Sequence, residues 1–162
     1  MVFITLGTQG NQFNRCLEMV ENLIDSLHPD HEFIAQVGNT KYKSEKIKII
    51  EYIPEVDFKK YISNADVVIS HAGSGALFNA IQKGKKTIAI ARLHKYNEMA
   101  NDHQTELVKK LAECGYILDG TNSIIEAWNK LDTFQPRICD FKCSIATDID
   151  HYINNDIIPN LF

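Results

Sequence analysis

Asp66 to Gly75 reads DVVISHAGSG, an apolar β-branched run followed at once by a small polar turn, His71-Ala72-Gly73-Ser74-Gly75. The run is strand-like, and the turn opens a segment of helical period. Two glycines in that turn let a ligand approach the backbone closely, while the start of the following helix presents unpaired N–H groups and partial positive charge. Strand, glycine turn and helix together are the beginning of a βαβ unit, so the expected fold is α/β with a parallel sheet.

Outward from this stretch the same alternation recurs. Short β-rich runs predict strands at Val2–Leu6, Glu32–Val37, Ile47–Tyr52, Asp66–Ser70, Thr87–Ala91 and Tyr116–Leu118. Phe13, Leu17, Val20, Ile24 and Leu27 form one apolar stripe and predict the first helix, with Pro29 just beyond its end. Further helices are expected at Val56–Ser63, Gly75–Lys83, about Glu98 to Cys114 with Gly115 as its stop, and Ser123–Leu131. A last helix is expected near Lys142–Ile153, after the connection containing Pro136. Right-handed crossovers then give a single Rossmann-like, doubly wound sheet in the order 3-2-1-4-5-6, with the first and fourth strands adjacent at the switch point. The loops after Leu6 and after Ser70 are therefore expected to build the site.

With 162 residues, 44% hydrophobic and 23% charged, the chain suits one packed domain, taken as residues 1–162. A net charge of -4, with the basic run Lys41–Lys48 interrupted by Glu45, argues against a nucleic-acid or anionic-membrane surface as the main partner. Cys16, Cys114, Cys139 and Cys143 form no CxxC pair, so reduced thiols are expected and a zinc or redox motif is not. No basic leader runs into an apolar core after Met1, and no apolar run approaches the ~18 residues of a membrane span, so a cytoplasmic chain is expected.

Three segments carry the polar residues a ligand site needs. Gly7, Thr8, Gln9 and Gly10 follow the first strand and suit either an anion or simply a tight turn. The His71–Gly75 turn lacks both the P-loop and the dinucleotide glycine spacing, which weakens ATPase and dehydrogenase readings. The third segment, Arg92 to Gln104, is unusually polar and holds Arg92, Asn101, His103 and Gln104, either as sugar and phosphate contacts or as a solvated loop with a helix cap. His71 is a weak candidate for a catalytic base, against the plainer reading of a loop-ordering histidine. Ser74 lacks the Gly-x-Ser-x-Gly setting of a hydrolase nucleophile.

VFITLGT at Val2–Thr8, DVVISHAGSG at Asp66–Gly75 and NDHQTEL at Asn101–Leu107 resemble the C-terminal domain of glycosyltransferase family 28. The likeness is to its free-standing members: small subunits of two-part UDP-N-acetylglucosamine transferases and bacterial relatives in exopolysaccharide and capsule synthesis. RLHKYNEMANDHQ, Arg92–Gln104, looks like the bacterial group. The resemblance covers about Met1 to Leu118. It implies the donor half of a GT-B fold, binding a UDP-sugar without a metal cofactor. It also implies a membrane-anchored partner subunit that holds a lipid-linked acceptor and keeps this chain peripheral at the cytosolic face of the membrane. Carried over, Gly7 and Thr8 lie near the diphosphate, and Gln9, Arg92 and Asn101 are further donor-binding candidates. His71, Ala72, Gly73, Ser74 and Gly75 line the phosphate and sugar end, and His103 and Gln104 face sugar hydroxyls. Family members carry Glu four residues after the second glycine, where this chain has Asn79, which removes a charge-assisted bond to the ribose. An accessory subunit without productive donor binding is the alternative. The apolar tail 156–162 is expected to dock on the partner or to pack on its own domain.

Overall fold

The computed structural model describes residues 1–8 and 10–138. Its elements run β1 (Val2–Thr5), α1 (Asn14–Leu27), β2 (Phe33–Gln36), β3 (Lys48–Ile50), α2 (Glu55–Asn64), β4 (Val67–Ser70), α3 (Ser74–Gln82), β5 (Lys86–Ala89), α4 (His103–Glu113), β6 (Leu118–Asp119) and α5 (Ile124–Asn129). The strands pair in parallel in the order β3-β2-β1-β4-β5-β6, as the sequence predicts. In the β1–β4 register Thr5 lies opposite Ser70, so both central strands end together at the switch point.

Alternate residues of the central strands feed opposite faces. Val2, Ile4, Val67 and Ile69 pack with Leu17, Val20 and Leu23 of α1 and Ile124 of α5. Phe3, Ile34 and Val68 face the other way, toward Ile62 of α2 and Ala80 of α3. There the Phe3 ring stacks on Tyr61 at 5.2 Å and meets Phe58 edge-on at 5.6 Å. Leu77 and Ile81 of α3 join Val108 of α4 over Ala89. Helices thus cover both faces, which is why the strands read as continuous apolar runs.

Several boundaries differ from the sequence expectation. Helix α4 begins at His103, not near Glu98, because the chain first makes a 3-10 turn over His94–Tyr96 and reverses at Asn97, whose φ of 56° breaks helical propagation. Strand β3 shortens to Lys48–Ile50 because it is an edge strand with one neighbour, and β6 shifts to Leu118–Asp119. No helix joins β2 to β3. The connection lies on α1 instead, where Tyr42 and Ser44 donate to Glu21 at 2.9 and 2.5 Å. The expected helix at Lys142–Ile153, Cys139, Cys143, the tail 156–162 and Gln9 lie outside the described residues. Cys16 and Cys114 are free thiols. Among the described residues no helix is long and apolar enough to cross a membrane.

Candidate functional site

At the carboxyl ends of β1 and β4 a cleft of about 370 Å³ has Thr5, Gly7, Thr8 and Gln36 on the β1–β2 side and His71, Gly73 and Ala76 on the β4–α3 side, with Ile53, Glu55 and Phe58 completing the wall. The two turns singled out in the sequence do meet here. His71 is only 7% exposed. Its backbone N–H and its ring Nδ1 both lie 3.0 Å from the Thr5 carbonyl oxygen. A carbonyl only accepts, so Nδ1 carries the proton and Nε2 is left as an acceptor. Burial pushes the imidazole pKa down to about 4, the Thr5 bond opposes this, and the Arg92 charge adds to it. The ring is therefore neutral near pH 7: it suits accepting a hydrogen bond better than holding a proton taken from a hydroxyl.

Glycine is required on both sides of that ring. A Cβ on Gly7 would fall 2.5 Å from Nε2, and one on Gly73 would fall 2.2 Å from it. Gly7 also has a φ of +73°, which side chains other than hydrogen rarely tolerate. Its N–H is turned back to Thr5 Oγ1 at 3.4 Å, so it is less free than a bare glycine turn suggests. Ala72 is buried and sits at φ 63°, an unusual conformation for a residue with a Cβ. Beyond it α3 starts at Ser74 with no side-chain cap. Its first-turn N–H groups are the ones an α-helix leaves without intrahelical partners, and they carry the positive end of the helix dipole. At the other side of the cleft, Gln36 Oε1 is buried without a donor among the described residues.

Arg92 is 1% exposed, lies over the Phe13 ring at 5.1 Å, and donates from Nη2 to the Leu6 carbonyl at 2.8 Å. Its Nε and Nη1 have no partner among the described residues, and burial lowers its pKa. Gln104 Oε1 accepts the Arg92 backbone N–H at 3.0 Å, so Gln104 anchors this loop. Asn101 accepts the His103 N–H at 3.3 Å, and both side chains are exposed at the start of α4. Ala72, Ser74, Gly75, Asn79, Arg92, Asn101, His103 and Gln104 are not in the cleft wall. Arg92 reaches it through Leu6, the residue before Gly7. Asn79 donates its amide to the Gly75 carbonyl at 2.8 Å.

Two residues that sequence reasoning missed join these loops. Arg15 and Glu98 form a bidentate pair, Nε to Oε1 and Nη2 to Oε2 at 2.8 Å each. Among the described residues no three His, Cys, Asp or Glu side chains gather to hold a metal. The sequence's one Asp-x-Asp, at Asp148 and Asp150, lies outside them.

A parallel sheet in this order, with glycine turns meeting at its switch point, defines a Rossmann-like doubly wound domain. The glycosyltransferase family 28 C-terminal domain matches residues 1–138, and the chain belongs to that family. It is similar to the human UDP-N-acetylglucosamine transferase subunit ALG13, 30% identical over 124 residues that cover 72% of this chain and 10% of the relative. It is also similar to the UDP-N-acetylglucosamine–N-acetylmuramyl-(pentapeptide) pyrophosphoryl-undecaprenol N-acetylglucosamine transferase of Caldicellulosiruptor saccharolyticus. That relative is 31% identical over 120 residues, covering 67% of this chain and 30% of the relative. The chain therefore spans a tenth of the human relative's length and 30% of the bacterial one's. Its fold is that of the glycotransferase of kitacinnamycin, with a TM-score of 0.56 at 19% identity, and of SnogD from Streptomyces nogalater, with 0.54 at 20%. Each of those alignments covers 80% of this chain and 34% of the other.

Proposed function

We propose that this chain is the UDP-sugar-binding subunit of a two-part glycosyltransferase. The observation that carries the reading is the switch-point cleft, where the uncapped start of α3 and the acceptor Nε2 of His71 face the β1 turn in a chain of family 28. A diphosphate suits such a place because helix N–H groups and the dipole stabilise negative charge. In the reaction an acceptor hydroxyl displaces UDP from the anomeric carbon, and the charge developing on the leaving diphosphate is met by those groups. Arg92, Asn101, His103 and Gln104 belong to the phosphate and sugar end in this reading, and the base comes from the partner.

UDP-N-acetylglucosamine is the first donor to test, since both relatives named above are UDP-N-acetylglucosamine transferases. The acceptor is lipid-linked and held by a membrane-anchored partner subunit, which keeps this chain cytoplasmic and peripheral at the membrane. The undecaprenol-linked substrate in the bacterial relative's name supports a lipid-linked acceptor. Exopolysaccharide or capsule synthesis is the setting we favour, from the likeness of Arg92–Gln104 to the bacterial group. A second reading, an accessory subunit without donor binding, rests on Asn79, whose amide is occupied by Gly75 where a carboxylate would face the ribose.

Calorimetric titration of the chain with UDP and then UDP-sugars, with and without EDTA, decides between them. UDP binding that survives EDTA and weakens in His71→Ala supports the metal-independent donor subunit. No binding, even with the partner present, supports the accessory reading.

A further inference from the structure

After β5 the chain turns over His94–Tyr96, reverses at Asn97 and carries Glu98 back inside, where it is 4% exposed. Its carboxylate accepts from Arg15 Nε and Nη2 at 2.8 Å and from the Leu93 backbone N–H at 2.9 Å. Arg15 also donates to the Ala91 carbonyl at 2.7 Å and to the Thr121 carbonyl at 3.3 Å. The Glu98 carbonyl in turn accepts from Asn11 Nδ2 at 3.0 Å. This ion pair, with Glu98 buried and Arg15 partly so, ties together α1, the segment after β5 and the loop after β6, and the Glu98 backbone carbonyl adds Asn11 of the loop after β1.

The geometry restricts motion more than a single contact would. A planar guanidinium held at two nitrogens by one carboxylate admits one relative orientation, and both bonds are charge-assisted. Sliding the Leu93–Asp102 loop along α1 breaks both and leaves a buried charge unpaired. Two links carry that loop's position to the cleft: Arg92 to the Leu6 carbonyl, and Asn11 to the Glu98 carbonyl, on either side of the Gly7–Gly10 turn. Apart from Met19 of α1, the pair's partners are loop groups at the carboxyl end of the sheet, so its restraint falls on the loops there, the loop after β5 among them.

We infer that Glu98 is a positioning residue for donor binding. Acting through Arg15 and the Leu93 N–H, it holds the loop after β5 in register with the Gly7–Gly10 turn without touching the ligand. This rests on the donor-subunit reading.

The test titrates UDP into the full chain carrying Glu98→Gln, Arg15→Lys or both, beside Val67→Ala at the amino end of β4, away from the cleft, as a stability control. The expected result is a loss of about tenfold in UDP affinity for either single variant, with the double variant no worse than the weaker single one, because the two act as one unit. Val67→Ala lowers Tm and leaves UDP affinity unchanged. Wild-type affinity in Glu98→Gln, or single losses that add, overturns the inference. If Glu98→Gln does not fold, Arg15→Lys, which keeps the charge, gives the same reading. If the wild type itself binds no UDP, the donor reading fails. Amide exchange then decides the positioning role: faster exchange in the Gly7–Gly10 turn of a variant supports it, and unchanged exchange overturns it.

Discussion

Gly73 lies so close to His71 that a methyl group on its α-carbon would stand 2.2 Å from the ring Nε2. The Gly73 backbone has a φ of -68°, which any residue adopts, so the requirement is steric rather than conformational. Gly73→Ala therefore pushes the imidazole off the Thr5 carbonyl. Loss of that bond and of the packing destabilises the chain by about 1–3 kcal/mol and abolishes UDP binding. Gly75→Ala, with nothing within 4 Å of its added Cβ, is the matched control and changes stability by less than ~0.5 kcal/mol. Urea unfolding of the two variants checks both.

His71 also sets a pH signature. Its folded pKa of about 4 lies below the ordinary 6.5, so between those values the unfolded chain binds a proton that the folded chain refuses. Stability therefore rises with pH across that window, is lost as pH falls from 6.5 toward 4, and has no His71 contribution to its slope above it. The loss amounts to about 3 kcal/mol. His71→Asn flattens this part of the profile. A variant slope equal to wild type, measured by urea unfolding at a series of pH values, shows that His71 titrates normally when folded.

Arg92 is a buried cation with two unpartnered nitrogens among the described residues. Arg92→Met keeps the volume and removes the charge, so stability changes by no more than about 1 kcal/mol in either direction. UDP affinity falls about tenfold, because a positive charge behind the β1 turn is lost. Thermal unfolding and calorimetry on one preparation separate the two effects.

Asn79→Glu introduces a carboxylate just beyond the first turn of α3. A charge-assisted bond in place of a neutral one strengthens UDP binding about fivefold, and leaves UMP and UDP equally affected because the gain is at the ribose. A gain for UDP alone places the side chain at the phosphates instead.

The fold was legible where residues face the core. Val2–Thr5 and Val67–Ser70 are buried throughout, so their apolar runs announce strands, and the strand order follows from how such runs alternate with helices. The turns at Gly7 and Gly73 were legible because close approach of backbone to ring leaves room only for glycine. The Arg15–Glu98 pair was not. Its members are 83 residues apart and belong to a helix turn and a polar loop whose local sequence reads as solvated. The one hint was Arg15 itself, a basic side chain between Phe13 and Cys16, both of which are buried. The start of α4 was missed for the same reason: Glu98 is drawn inward by a distant partner, and local helical period carries no trace of that.

Ala72, held at φ 63° with its methyl group buried, fixes when the turn after β4 loses its freedom. A left-handed alanine costs about 1–2 kcal/mol, and the surrounding packing absorbs this as the chain folds. On the donor-subunit reading, a ligand arriving later meets amides already aimed. Little further backbone entropy is then lost on association, and capture proceeds without waiting for this turn to rearrange.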